Sequence, residues 1–136
     1  MIFDQNFKRL KVIKESVRLE KLNTNKKSFV AYWMSSNQRV NCNYSLNESL
    51  KLAKKLKVLH KTFFIYNSQH YNSLSRHHEF MLNGLKEVNN QLNSLGHQLY
   101  FYNYGDSIIK SILKDFISLV VDSSYTSRAI KYQKNI

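Results

Sequence analysis

Directly behind the apolar hexamer Phe29 to Met34 runs a polar stretch, Ser35-Ser36-Asn37-Gln38-Arg39 and then Asn41-Cys42-Asn43, with a helical pattern immediately after it. The stretch offers hydroxyls, side-chain amides and one guanidinium, and the first N–H groups of the following helix add donors that the helix itself cannot satisfy. Such groups suit the recognition of an anionic or polar ring ligand rather than the making of bonds. The plainer reading is that Asn37, Gln38 and Asn43 satisfy nearby backbone groups at a turn and a helix cap, and spacing alone leaves both readings standing. No glycine lies between residues 35 and 43, so the close backbone approach of a G-x-G-x-x-G or Walker-type loop is missing and an ordinary dinucleotide or triphosphate site is not expected.

Other chemistry is thinly represented. His77-His78-Glu79 invites a metal, yet adjacent helical residues point about 100° apart and no H-E-x-x-H spacing is present. The segment therefore reads as a solvated cap region and no metal site is expected. Cys42 would be a nucleophile only with a histidine brought to it by the fold, and a lone cysteine beside a helix start reads as packing. Asp106 and Asp122 read as strand-end or cap acids, and no pair of carboxylates suggests acid–base catalysis.

The elements that must position these groups follow an alternating pattern. Phe29 to Met34 is short, apolar and aromatic, as a central strand covered on both faces would be. Asn43 caps a predicted helix with Leu46, Leu50, Ala53 and Leu56 on one side and Lys51, Lys54, Lys55 and Lys57 toward solvent. Thr62 to Tyr66 is a second strand, ended by Asn67-Ser68. A long helix opens at Ser75, stops at Gly96 and has Met81, Leu85, Val88, Leu92 and Leu95 as its stripe. Gln98 to Asn103 alternates into a third strand, Gly105-Asp106 turns and caps, and Ile108, Ile109, Ile112, Leu113 and Phe116 mark a third helix. Leu119 to Val121 is a fourth strand, and Thr126 caps a last, short helix. The order β-α-β-α-β-α-β-α predicts a parallel sheet with helices on both faces. In such sheets ligands sit beyond the carboxyl ends of the strands, which is where Ser35 to Asn43 falls.

Length and charge set the frame. A chain of 136 residues, 43% hydrophobic, suits one domain. Residues 1–28 form a basic N-terminal arm, part helix and part extended, whose apolar positions follow no single period. One cysteine excludes an internal disulfide and points to a reducing compartment. No apolar run reaches the roughly 18 residues that a membrane span requires, and the N-terminus lacks a signal-peptide core, so a soluble protein is expected. The formal charge of +12 favours polyanions, nucleic acid first, against the bland reading of a solvated basic surface. Tyr100, Phe101, Tyr102 and Tyr104 read as sheet core and edge rather than as a base-stacking platform.

Three segments, FVAYWMSSNQRVNCNYSL, SRHHEFMLNGLKEVNNQL and LGHQLYFYNYGD, resemble in order and spacing the N-terminal α/β domain of class II cyclobutane pyrimidine dimer photolyases. Tyr32, Trp33, Met34, Gln38, Arg39, Asn43 and Leu46 match the family's first loop, whereas Ser36, Asn37 and Tyr44 stand where it has arginine, aspartate and tryptophan. Arg76, Phe80-Met81-Leu82, Gly84-Leu85 and Glu87-Val88 fit its helix, and Gly105-Asp106 fits its helix-opening turn. Asp122 to Arg128 keeps the arginine but loses the proline of its Ser-Pro-Leu-Arg segment.

The resemblance implies a Rossmann-like three-layer α/β domain over residues 29–136, ending before the family's fifth strand and its FAD-binding helical domain. It implies a crevice for an antenna chromophore, a deazaflavin or a folate, with Met34, Ser35, Asn37, Gln38 and Asp122 as candidate contacts. Arg39, Arg76 and Arg128 become candidates for DNA or interdomain contact. Repair chemistry would belong to the FAD domain, so this chain alone is not expected to repair DNA, and a cytoplasmic or nuclear setting follows. A small basic nucleic-acid-binding or assembly module without a chromophore is the alternative.

Overall fold

The computed structural model describes residues 28–68, 74–123 and Lys131. Strand β1 (Phe29–Trp33) has all five residues buried, as the unbroken apolar run requires of a strand covered on both sides. It is followed by α1 (Tyr44–Leu56), β2 (Leu59–Tyr66), α2 (Ser75–Ser94), β3 (Leu99–Asn103), α3 (Ser107–Asp115) and β4 (Phe116–Val121). The sheet order is β3-β2-β1-β4 and each neighbouring pair is parallel. Right-handed crossovers put α1 and α2 on one face, since they carry the chain from β1 outward to β3. α3 carries it back across β1 to β4 and therefore lies on the other.

Side-chain alternation divides the core accordingly. Tyr32, Met34 and Phe64 pack with Leu46 of α1 and with Leu85, Val88 and Leu92 of α2. Phe29, Ala31, Trp33, Phe63 and Ile65 pack on the opposite face against Ile109 and Ile112 of α3. α2 ends as Gly96 predicts. At φ +78 it lets its own N–H reach Asn93 O and the N–H of His97 reach Leu92 O, closing the last turn. α1 makes a similar turn without glycine: Lys57 sits at φ 55 and donates to Ala53 O and Lys54 O.

Several local expectations are corrected. β2 begins at Leu59 rather than Thr62, because Leu59, His60 and Lys61 lie opposite Phe29, Val30 and Ala31 and pairing overrides their mixed polarity. Phe116 opens β4 instead of closing α3, and lies opposite Phe29. Ser75 is the first residue of α2 and not its cap; Leu74 holds that position and forms no side-chain cap. The Asp106 carboxylate turns back to accept from the Asn103 N–H rather than capping α3. Leu95 and Ile108 are exposed, outside the stripes assigned to them, and so is Cys42, at φ 55. The arm before Ser28, Arg128 and the helix expected from Thr126 lie outside the described residues. No helix among the described residues is long and apolar enough to cross a membrane.

Candidate ligand crevice at the sheet switch point

From β1 the chain proceeds outward to β2 and β3, whereas β4 lies on the other side of β1. The sheet therefore reverses direction between β1 and β4, and a crevice is expected beyond the carboxyl ends of that pair. The polar loop 35–43 leaves the end of β1, and Asp122 follows the last residue of β4 directly.

The register that pairs Tyr32 with Val120 and Trp33 with Val121 aims Asp122 under the loop. Its Oδ2 accepts three consecutive backbone N–H groups, from Ser35 at 3.0 Å, Ser36 at 3.1 Å and Asn37 at 3.0 Å. Its Oδ1 accepts the Tyr32 hydroxyl at 2.9 Å and, more loosely, Asn37 Nδ2 at 3.4 Å. A residue 1% exposed thus has its charge met by converging donors, which is the condition for keeping a charged group out of water.

Asn43 is the second hub. Its Oδ1 caps α1 by accepting from Leu46 N at 3.0 Å, and this fixes which way the amide faces. Nδ2 then donates to Tyr32 Oη at 2.9 Å, Arg39 O at 2.9 Å and Asn37 O at 3.1 Å. Tyr32 accepts from Asn43 and passes its own proton toward Asp122. Burial, and after it the charge of Asp122, pushes the phenol well above its ordinary range, so it stays a donor. Gln38 closes the far side by donating from Nε2 to Ser35 O at 3.1 Å.

Of the residues expected to line a crevice, Ser35, Asn37, Gln38 and Asp122 come together, but chiefly to bind one another. Met34 is fully buried in the core beneath the loop and does not reach an open surface. The half-buried Ser35, Asn37 and Gln38 and the exposed Ser36 and Arg39 form the loop's accessible side. Ser35 Oγ is shut from solvent and has no partner among the described residues. Arg76 is exposed on the first turn of α2. Sequence reasoning gave Asn43 only a cap and Tyr32 only packing. The available signal was a phenol in an otherwise apolar central strand, whose one polar atom must find a partner.

Two further polar clusters lie away from this point. His78, expected to be solvated, is half-buried, with Nδ1 2.9 Å from Tyr66 Oη and its ring edge-on to the tyrosine. His60 Nε2 lies 2.8 Å from Ser49 Oγ, which itself donates to Leu46 O at 2.7 Å. With the serine proton spent on that carbonyl, Nε2 is the protonated nitrogen and Nδ1 is bare, without a partner among the described residues. Among the described residues no cluster of three His, Cys, Asp or Glu could hold a metal. An apolar cleft between Phe63, Tyr102, Ile109 and Ile112 has room for about 10 Å3, the scale of one water.

A parallel sheet of this order, with a glycine-free polar loop at its switch point, defines a Rossmann-like α/β domain. Residues 30–134 match the DNA photolyase family, and the chain belongs to it. Over 99 residues, 72% of the chain, it is 29% identical to the deoxyribodipyrimidine photo-lyase of Methanothermobacter thermautotrophicus strain Delta H. The match covers 22% of that protein, so the chain spans about a fifth of the relative's length.

Proposed function

We propose that this chain is the N-terminal α/β portion of a class II cyclobutane pyrimidine dimer photolyase, supporting an antenna chromophore beside an FAD-bearing helical domain that performs the repair. Family membership over residues 30–134 is the observation that carries the reading. The loop at the β1–β4 switch point supports it further, because its open side combines amide, hydroxyl and guanidinium groups. In this reading Gln38 and Arg39 meet the ligand, Ser35 and Asn37 border it, and Met34 and Asp122 hold the loop from beneath. A chromophore held there would supply light absorption and excitation transfer toward a flavin. The chain's own residues bind and orient it. Arg39 and Arg76, both exposed, are proposed contacts to DNA or to the flavin domain, and Arg128 is assigned the same role from the sequence alone.

The test is reconstitution. The purified chain is titrated with a deazaflavin and with a methenyl folate while ligand fluorescence is followed, then combined with an FAD-bearing photolyase domain and assayed for blue-light repair of thymine dimers. Saturable binding, weakened in Gln38→Ala, and repair only in the combined sample are expected. A colourless protein that binds neither chromophore, and instead binds DNA with steep salt dependence, would overturn the antenna assignment in favour of a basic binding module.

A further inference from the structure

Three successive backbone N–H groups converging on one oxygen make a concave anion site of the kind that grips phosphate in many α/β proteins. Here the site lies at the switch point, where a wound sheet ordinarily receives the charged part of a ligand. The oxygen in it is Asp122 Oδ2, within 3.0–3.1 Å of the amides of Ser35, Ser36 and Asn37. We propose that this amide nest is an anion-binding site whose resident anion is the chain's own Asp122, which shuts phosphate groups out of the crevice.

Three features carry the inference. The carboxylate is 1% exposed, so an incoming phosphate cannot share the site and must displace it. Displacement would strip the buried carboxylate of three backbone N–H groups at once, while its other oxygen keeps the Tyr32 hydroxyl at 2.9 Å and, more loosely, Asn37 Nδ2 at 3.4 Å. The loop also lacks glycine between residues 35 and 43, so a phosphate arriving from the open side meets side chains before it meets backbone. Consequently a ligand in the crevice must present a phosphate-free end to the loop, and a nucleotide would be refused. That last step rests on the antenna reading. The occupation of the nest by Asp122 does not.

The experiment uses the full chain, labelled with 15N, and inorganic phosphate as probe, with Asp122→Gly as the variant that removes the internal anion. The wild-type amide signals of Ser35, Ser36 and Asn37 should not saturate with phosphate. In the glycine variant the same three signals should move together and saturate at a concentration lower by about tenfold or more, while phosphate raises the unfolding temperature selectively. If the variant does not fold in chloride, refolding in phosphate or formate should recover the native spectrum. Saturable phosphate shifts at those amides in wild type, a folded variant whose three amides ignore phosphate, or a variant that neither anion rescues would each overturn the proposal. Failure of the chromophore titration with these results intact would sink the antenna assignment alone.

Discussion

Two buried polar clusters sit on the same helix-bearing face of the sheet and follow opposite rules. Beyond the carboxyl ends of β1 and β4, Asp122, Tyr32 and Asn43 satisfy one another and six backbone groups of the loop and the α1 cap. Along β2, His60 Nδ1 and Thr62 Oγ1 have no partner among the described residues. The first cluster contains a charge and is fully connected. The second is neutral and incompletely bonded, and burial pushes the His60 imidazole down to about 4, with His97 nearby adding to the effect. The difference teaches where, among the described residues, a charge is buried: at the point where consecutive backbone N–H groups converge, since orphaned neutral groups cost less than an orphaned ion.

The largest effect should come from removing the charged centre. Asp122→Ala leaves three N–H groups and a phenol unsatisfied and should lower stability by about 4 kcal/mol in urea unfolding. A loss below about 1 kcal/mol would show that the loop is held by other contacts. Asn43→Ala, which removes both the cap and the amide donors, should cost about 3 kcal/mol. Asn43→Asp is the sharper variant. Aspartate caps a helix as well as asparagine does, yet here it would turn a carboxylate oxygen toward Arg39 O and Asn37 O, so no recovery over alanine is expected.

The neutral cluster should show itself through pH. Because the folded state holds His60 down at about 4, against 6.5 ordinarily, folding favours the uncharged ring. Its contribution is complete above pH 6.5 and is lost as pH falls toward 4. The ceiling is about 3 kcal/mol, and about 1–2 kcal/mol remains after solvent screening of a half-buried ring. The difference between wild type and His60→Leu across that window isolates it from the carboxylates that titrate nearby. A difference independent of pH would count against a buried neutral histidine. Smallest is the paired hydroxyl comparison: Tyr32→Phe should lose about 1 kcal/mol, while Thr62→Val should be neutral within about 0.5 kcal/mol. Equal losses in the two would erase the contrast.

Much of this was readable in the chain. The β1 run, the Asn43 cap, the α2 stripe from Met81 to Leu92 and the Gly96 stop all depend on neighbours a few residues away, and all stand in the structure. Misplaced boundaries fell where distant pairing outranks local preference, as at Leu59 and Phe116. The candidate site was legible as a location and as a set of residue types. Its internal wiring was not, because Asp122 lies 85 to 87 positions from the amides it accepts.

By itself the sequence determined an alternating α/β chain with a strongly basic balance, a polar loop after the first strand, and the family to which that pattern belongs. Apolar periodicity and capping chemistry are local, so the residues express them wherever they stand. Only the tertiary structure decided that β4 returns beside β1, and with it that the loop's amides face a carboxylate instead of open water. That placement depends on the packing of two opposite sheet faces at once, which no short stretch of residues encodes.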